Sequence, residues 1–264
     1  MTNSLIVVFI LTMIIHTAET LSYSVRFAGV QLNKIAVALS LTGIIVLVSR
    51  TANLVQAPLT AKFVDYAKLD VTFDLERYLR LTLFASTIGT LIAIALFPSF
   101  VKISQRVIAK LEVAGSLPKL ITSVTIDQLK NTKHYLKKPS IKLQHFRYLG
   151  IPKRFLILNV VVTSFYSVGV LASLFAAHLL PQFSTTASQA SGIINGIATI
   201  LLTIFIDPQL GLITDKALHD EEHKLQLGKI YALLMTSRFI GTLLAQAVLI
   251  PSAHFIGIIV QWIV

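Results

Sequence analysis

The chain contains no cysteine, a single tryptophan and little charge: only 13% of its 264 residues are Asp, Glu, Lys or Arg. Without cysteine there is no disulfide and no thiolate metal site, and the redox compartment is left open. Soluble domains carry about a quarter charged residues. The low charge here, with 55% hydrophobic residues and a mean hydropathy of +0.77, marks an all-α integral membrane protein. Acidic residues are scarce as well, 12 against 23 Lys and Arg, a net charge of +11. Nucleic acid would account for that excess in a soluble protein. In a membrane protein the excess belongs to cytoplasmic loops, and the basic stretches lack aromatics and binding motifs, so no nucleic-acid partner is expected. Also missing are a phosphate-binding glycine loop, HExxH and clustered aspartates. No catalytic residue, cofactor or metal is therefore expected, and no ATP hydrolysis by this chain. His219 and His223 stand four apart beside Asp220, but in a polar loop that spacing is weak evidence for a metal.

What the sequence does have is membrane-length apolar stretches, each about 20 residues or more. Six qualify, at about 4–26, 34–57, 78–101, 154–180, 187–206 and 229–250, making residues 1–264 a single polytopic domain. The N-terminal run lacks a basic n-region and a small-residue cleavage site, and is read as the first span. Pro58, Pro98 and Pro181 are expected to end the second, third and fourth spans. The segment after Pro251 extends the sixth helix through a kink or lies at the interface with Trp262 as anchor. Between Lys102 and Arg154 lie twelve basic residues against Glu112 and Asp127. The loop at 102–153 is therefore assigned to the cytoplasm, and both termini outside. Its stretches near 103–114 and 117–136 place Ile, Leu and Val at helical spacing, which suggests amphipathic helix on the inner membrane surface, attracted to anionic membrane lipids. No internal repeat stands out, although three helices, a loop and three helices would leave the two halves inverted.

Charge is costly inside a bilayer, by a contested amount of about 3 kcal/mol upward, and such residues usually face a bundle interior or a water-filled path. His16, Glu19, Tyr23 and Arg26 share one face of the first helix. His16 and Glu19 are close enough to share a proton, whereas Glu19 and Arg26 are two turns apart. Arg50, Asn53 and Gln56 recur every third residue on the second helix. Arg238 is the deepest arginine, on the sixth. On the fifth helix a polar stripe including Asn195 leads to Asp207, with Gly192 and Gly196 forming a GxxxG beside it. That helix otherwise reads as close packing. Asn159, Thr163, Tyr166 and His178 on the fourth helix are open to either reading. Three arginines among hydroxyls and amides suit an anionic substrate, because guanidinium binds phosphate bidentately and keeps its charge.

The run HTAETLSYSVRFAGVQLNKIAVALSL, followed by LVSRTANLVQAPLTAK, resembles the Amj family. These are bacterial flippases that move lipid II, the undecaprenyl-pyrophosphate-linked peptidoglycan precursor, and can stand in for the unrelated MurJ transporters. The match is best over residues 16–62; the length, six spans and basic loop agree with it. The resemblance implies a transporter, not an enzyme, in the bacterial cytoplasmic membrane. It implies inner-to-outer transport of lipid II for cell-wall assembly, without ATP hydrolysis by this chain. On the present reading Arg26, Arg50 and Arg238 line a polar cavity with Tyr23, Asn53, Gln56 and Asn195, while His16 and Glu19 couple a proton or ion. Six helices make a thin wall around so large a headgroup, so a homodimer is entertained. The alternatives are a proton-coupled exporter of another anionic or amphiphilic molecule, or a non-transporting scaffold whose basic loop recruits partners.

Overall fold

The computed structural model describes residues 1–115, Lys119 and 152–264. Over these residues the chain is all helix, with six segments long and apolar enough to cross a membrane. Three helices, α1 (Thr2–Gln31), α2 (Ile35–Leu69) and α3 (Leu75–Ala114), precede the basic segment. After it come α4 (Lys153–Leu179), the one-turn α5 (Ser184–Gln189), α6 (Ser191–Leu201), α7 (Asp207–His219) and α8 (Glu221–Ile263). Helices α5 to α7 make up one crossing, with a π-turn at Leu202–Ile206 between α6 and α7. Both termini lie at one end of the bundle, and the basic segment leaves and returns at the other.

Two expectations are corrected. Pro58 and Pro98 do not end their helices; both lie inside, as Pro251 does in α8. A proline removes one backbone bond, but ending a helix in hydrocarbon strands far more polar groups, so membrane helices run through prolines. At about 1.5 Å per residue, α2, α3 and α8 exceed the roughly 30 Å apolar core of a bilayer and project beyond it. The stretch near 103–114 is likewise the last part of α3. There Val101 and Ile108 pack with Val25, Ala28, Ala38 and Leu41, and Gly115, at φ 71°, ends the helix. The stretch at 117–136 lies outside the described residues apart from Lys119.

Small residues decide which helices pack closest, as is usual where lipid supplies no hydrophobic drive. A side chain on Gly89 of α3 would put its Cβ 2.5 Å from the Met13 carbonyl oxygen of α1, and Thr17 Oγ1 donates to the Gly89 carbonyl (2.9 Å). On the other side, a Cβ on Gly241 of α8 would lie 2.7 Å from the Val160 carbonyl oxygen of α4. Asn159 Nδ2 of α4 donates to Ser237 Oγ (2.6 Å) and to the Leu234 carbonyl (3.2 Å). The α1–α3 and α4–α8 pairs thus form the centre, with α2 and α5–α7 as less buried flanks. Gly192 and Gly196, the expected packing motif, face open space: a Cβ on either would meet nothing within 4 Å.

Two sharp breaks join long helices at opposite ends. Asp70, between α2 and α3, and Asp220, between α7 and α8, are both extended (φ −129°, ψ 107° and φ −139°, ψ 119°). Asp70 Oδ1 accepts from the Thr72 hydroxyl (2.6 Å) and amide (2.9 Å). Asp220 accepts from His223 Nδ1 and from the Glu222 amide (2.9 Å). Those bonds hold both carboxyls below the ordinary aspartate value, chiefly through Thr72 and His223 respectively.

Candidate functional site

The polar face of α1 points into the bundle, and the structure supplies its partners from α2 and α8. Glu19 Oε1 accepts from Ser49 Oγ of α2 (2.9 Å), and Oε2 accepts from Arg238 Nη2 of α8 (3.1 Å). The pair is largely enclosed, with side chains 15% and 16% exposed. Sequence spacing raised His16 as a partner for Glu19 and left Arg26 two turns away; the ion-pair partner comes from the far end of the chain. His16 is buried, and its Nδ1 has no hydrogen-bond partner among the described residues. Gln56 Nε2 donates to Thr12 Oγ1 of α1 (2.8 Å), tying α2 to that same face.

Three cavities follow one another along α1. The first, about 120 Å³, is lined by His16, Glu19, Arg50, Asn53, Gln56, Tyr166 and Asn195. The second, about 200 Å³, is lined by Glu19, Tyr23, Arg26, Tyr166, Asp207 and Arg238. The third, about 380 Å³, is lined by Arg26, Ile35, Asp207, Thr214 and Leu218 at the basic end. Glu19 and Tyr166 therefore stand between the first and second cavities, and Arg26 and Asp207 between the second and third. Every expected site residue lines one of the three, but the arginines are divided: Arg50 lines the first cavity, Arg238 the second, and Arg26 the second and third. Drug-sized ligands occupy pockets of about 300–1,000 Å³, so the first and second cavities, as they stand, are occluded to a large headgroup.

Each arginine has a different setting. Arg238 is neutralised by Glu19, while Arg26 and Arg50 form no ion pair among the described residues, and Arg26 Nε is buried without a hydrogen-bond partner. Arg50 is exposed at the rim of the first cavity. Its neighbours one helical turn either way, Leu47 and Leu54, are 59% and 75% exposed and belong to the lipid-facing surface of α2. Arg50 thus stands where the cavity meets the bilayer. Opposite, Asn195 fits over Gly169 of α4, where any side chain would collide with it, and its Oδ1 is buried without a partner.

Sequence reasoning left Tyr166 open between a polar site and packing and assigned Asp207 no role, yet each lines two neighbouring cavities. Asp207 carried a usable signal, since it completes the polar stripe from Ser188 through Asn195 at helical spacing.

Comparison with known proteins gives two matches. A family model described as "Amj: Alternate to MurJ" matches residues 11–260. A protein of Bacillus subtilis (strain 168) named lipid II flippase Amj is 39% identical over 264 residues, covering 99% of this chain and 98% of that one. No solved structure matches the chain.

Proposed function

This chain belongs to the Amj family, and on that footing we propose that it moves lipid II from the inner to the outer leaflet of the bacterial cytoplasmic membrane. The observation that carries this reading is the run of cavities along α1, with a guanidinium in each and two of the three arginines without a carboxylate partner. A pyrophosphate suits such a lining, because Arg26 and Arg50 have unmet charge and Arg238 has a carboxylate it can exchange for phosphate. The position of Arg50, flanked by lipid-facing leucines, favours a substrate whose headgroup enters the cavity while its isoprenoid tail stays in the bilayer. Lys102, Arg106, Lys110, Lys153 and Arg154 gather at the basic end, which supports a cytoplasmic placement for it and outside termini. For the headgroup to pass, the Glu19–Arg238 pair must part. His16, buried next to that pair, is the group we assign to take up a proton as it does.

The test is a strain whose other lipid II flippase can be switched off. Expression of this chain should sustain growth and place lipid II in the outer leaflet, measured by its accessibility to an external probe. Arg50→Ala and Arg238→Ala should lose rescue at unchanged membrane abundance. Arg50→Lys, which keeps charge but not bidentate geometry, should be impaired. A well-expressed wild-type chain that leaves lipid II inside would refute the function, and full rescue by both alanine variants would refute the cavity.

A further inference from the structure

Aligning the two halves by their place in the fold brings matches into register that the linear sequence hides. Thr20, Tyr23, Ser24 and Val25 in α1 correspond to Thr163, Tyr166, Ser167 and Val168 in α4. Gly43-Ile-Ile in α2 corresponds to Gly192-Ile-Ile in α6. Pro58, Asp65, Ala67 and Asp70 correspond, at one constant offset, to Pro208, Asp215, Ala217 and Asp220. Ile88-Gly-Thr-Leu in α3 recurs as Ile240-Gly-Thr-Leu in α8, and Pro98-Ser as Pro251-Ser. The structural roles match as well. Asp70 and Asp220 make the same extended break and accept from the amide two residues on. Gly89 and Gly241 are where the first and third helices of each half touch, and Tyr23 and Tyr166 line the same central cavity. Insertions between the matched helices shift the offset from helix to helix, which is why no repeat stands out along the sequence.

The halves differ in one respect. Helix α2 runs unbroken through Pro58, Phe63 is fully buried, and Lys68 Nζ donates to Ser184 Oγ of α5 (2.8 Å), joining α2 to α5 at the end that carries the termini. In the second half the matching helix is interrupted by the π-turn just before Pro208, and the counterparts of Phe63 and Val64, Ile213 and Thr214, are only half-buried. The counterparts of Lys68 and Ser184 are Leu218 and Ile35, and both line the third cavity. The two ends thus differ: Lys68 and Ser184 are joined, while their counterparts Leu218 and Ile35 border a cavity of about 380 Å³.

We propose that the chain is an inverted duplication, residues 20–99 against 163–252, whose halves exchange these two arrangements. In the opposite state α7 closes on α2 at Leu218 and Ile35, while α2 breaks ahead of Pro58 and releases Ser184. Inverted repeats place substrate near the membrane midplane between the halves and alternate access by moving one half against the other. Here that position is the Tyr23–Tyr166 region beside Glu19 and Arg238. The proposal rests on the transport reading above and adds its second conformation.

The natural absence of cysteine makes the test clean. Lys68→Cys with Ser184→Cys and, separately, Ile35→Cys with Leu218→Cys are treated in lipid II proteoliposomes with a short cleavable bismaleimide. Both pairs should cross-link in the same preparation, each cross-link should abolish the flipping that the same double variant shows before treatment, and cleavage should restore it. Where a pair lowers the folded yield, Leu69 replaces Lys68 and Thr214 replaces Leu218. Failure of the basic-end pair to cross-link in a chain that flips lipid II would overturn the exchange, as would unimpaired flipping with either end cross-linked. If the untreated chain does not flip lipid II, the function fails, and the cross-linking pattern still decides whether the two ends close alternately.

Discussion

Replacing Glu19 by Gln removes one charge while keeping the side-chain shape and an oxygen to accept from Ser49. The Arg238 guanidinium, 3.1 Å away and 16% exposed, would then be enclosed without its anion. Unit charges at that separation attract by about 5 kcal/mol at an effective dielectric near 20. Desolvation takes back much of this, but breaking a buried pair by removing one partner costs about 3–5 kcal/mol, because the survivor is left uncompensated. At the low end of that range, Glu19→Gln and Arg238→Met should each destabilise the protein by about 3 kcal/mol. The double variant no longer encloses a lone charge, so its loss should fall short of the sum by about 2 kcal/mol, the scale of coupling between contacting residues. Reversible unfolding of the purified protein in mixed detergent micelles, at constant pH and salt, measures all four corners of this cycle. Single losses that add to within about 0.5 kcal/mol would refute the pairing as an energetic unit.

Gly241→Ala forces a methyl group against the Val160 carbonyl and Thr163, and should cost about 1–3 kcal/mol, whereas Gly192→Ala, in open space, should be near neutral in the same unfolding assay. Asp70 and Asp220 have carboxyls lowered from 3.8 in the folded chain, so the stability they contribute is present above that value and lost as pH falls through the lower folded one. Unfolding midpoints should then be insensitive to these two groups between pH 5 and 7 and, for Asp70→Asn, should lose part of their decline below pH 4; an equal acid decline in wild type and variant would contradict this. In the rescue strain, Gly169→Ala should lower flipping by displacing Asn195 from the first cavity. Unchanged flipping at equal abundance would separate Asn195 from the path.

Composition was enough to reveal the helices, because about 20 apolar residues have few other uses. Where those helices stop was less legible: hydropathy reports where lipid ends, and α3 continues through Lys102 and Lys110, packed on α1 and α2 and tied by Gln105 to Gln31 and by Glu112 to Lys34. The prolines misled because a rule learned in water, where a broken helix finds solvent, inverts in hydrocarbon. On the site, spacing placed His16, Glu19, Tyr23 and Arg26 on one face, and the structure agrees. It did not supply the pairing of Glu19 with Arg238, since no periodicity connects residues so distant along the chain. The division of the path into three cavities depends on how α4 and α7 cross α1, which no single helix pattern encodes.

That division bears on the cell's energy supply. In the placement proposed above, the cytoplasmic membrane, a continuous water column past these arginines would let protons run down their gradient whenever the protein idles. Here the cavities are separate, with Tyr166 and the Glu19 carboxylate, paired to Arg238, between the first and the second. On the transport reading proposed above, cavities kept apart in this way let a resting protein sit in the membrane without short-circuiting it.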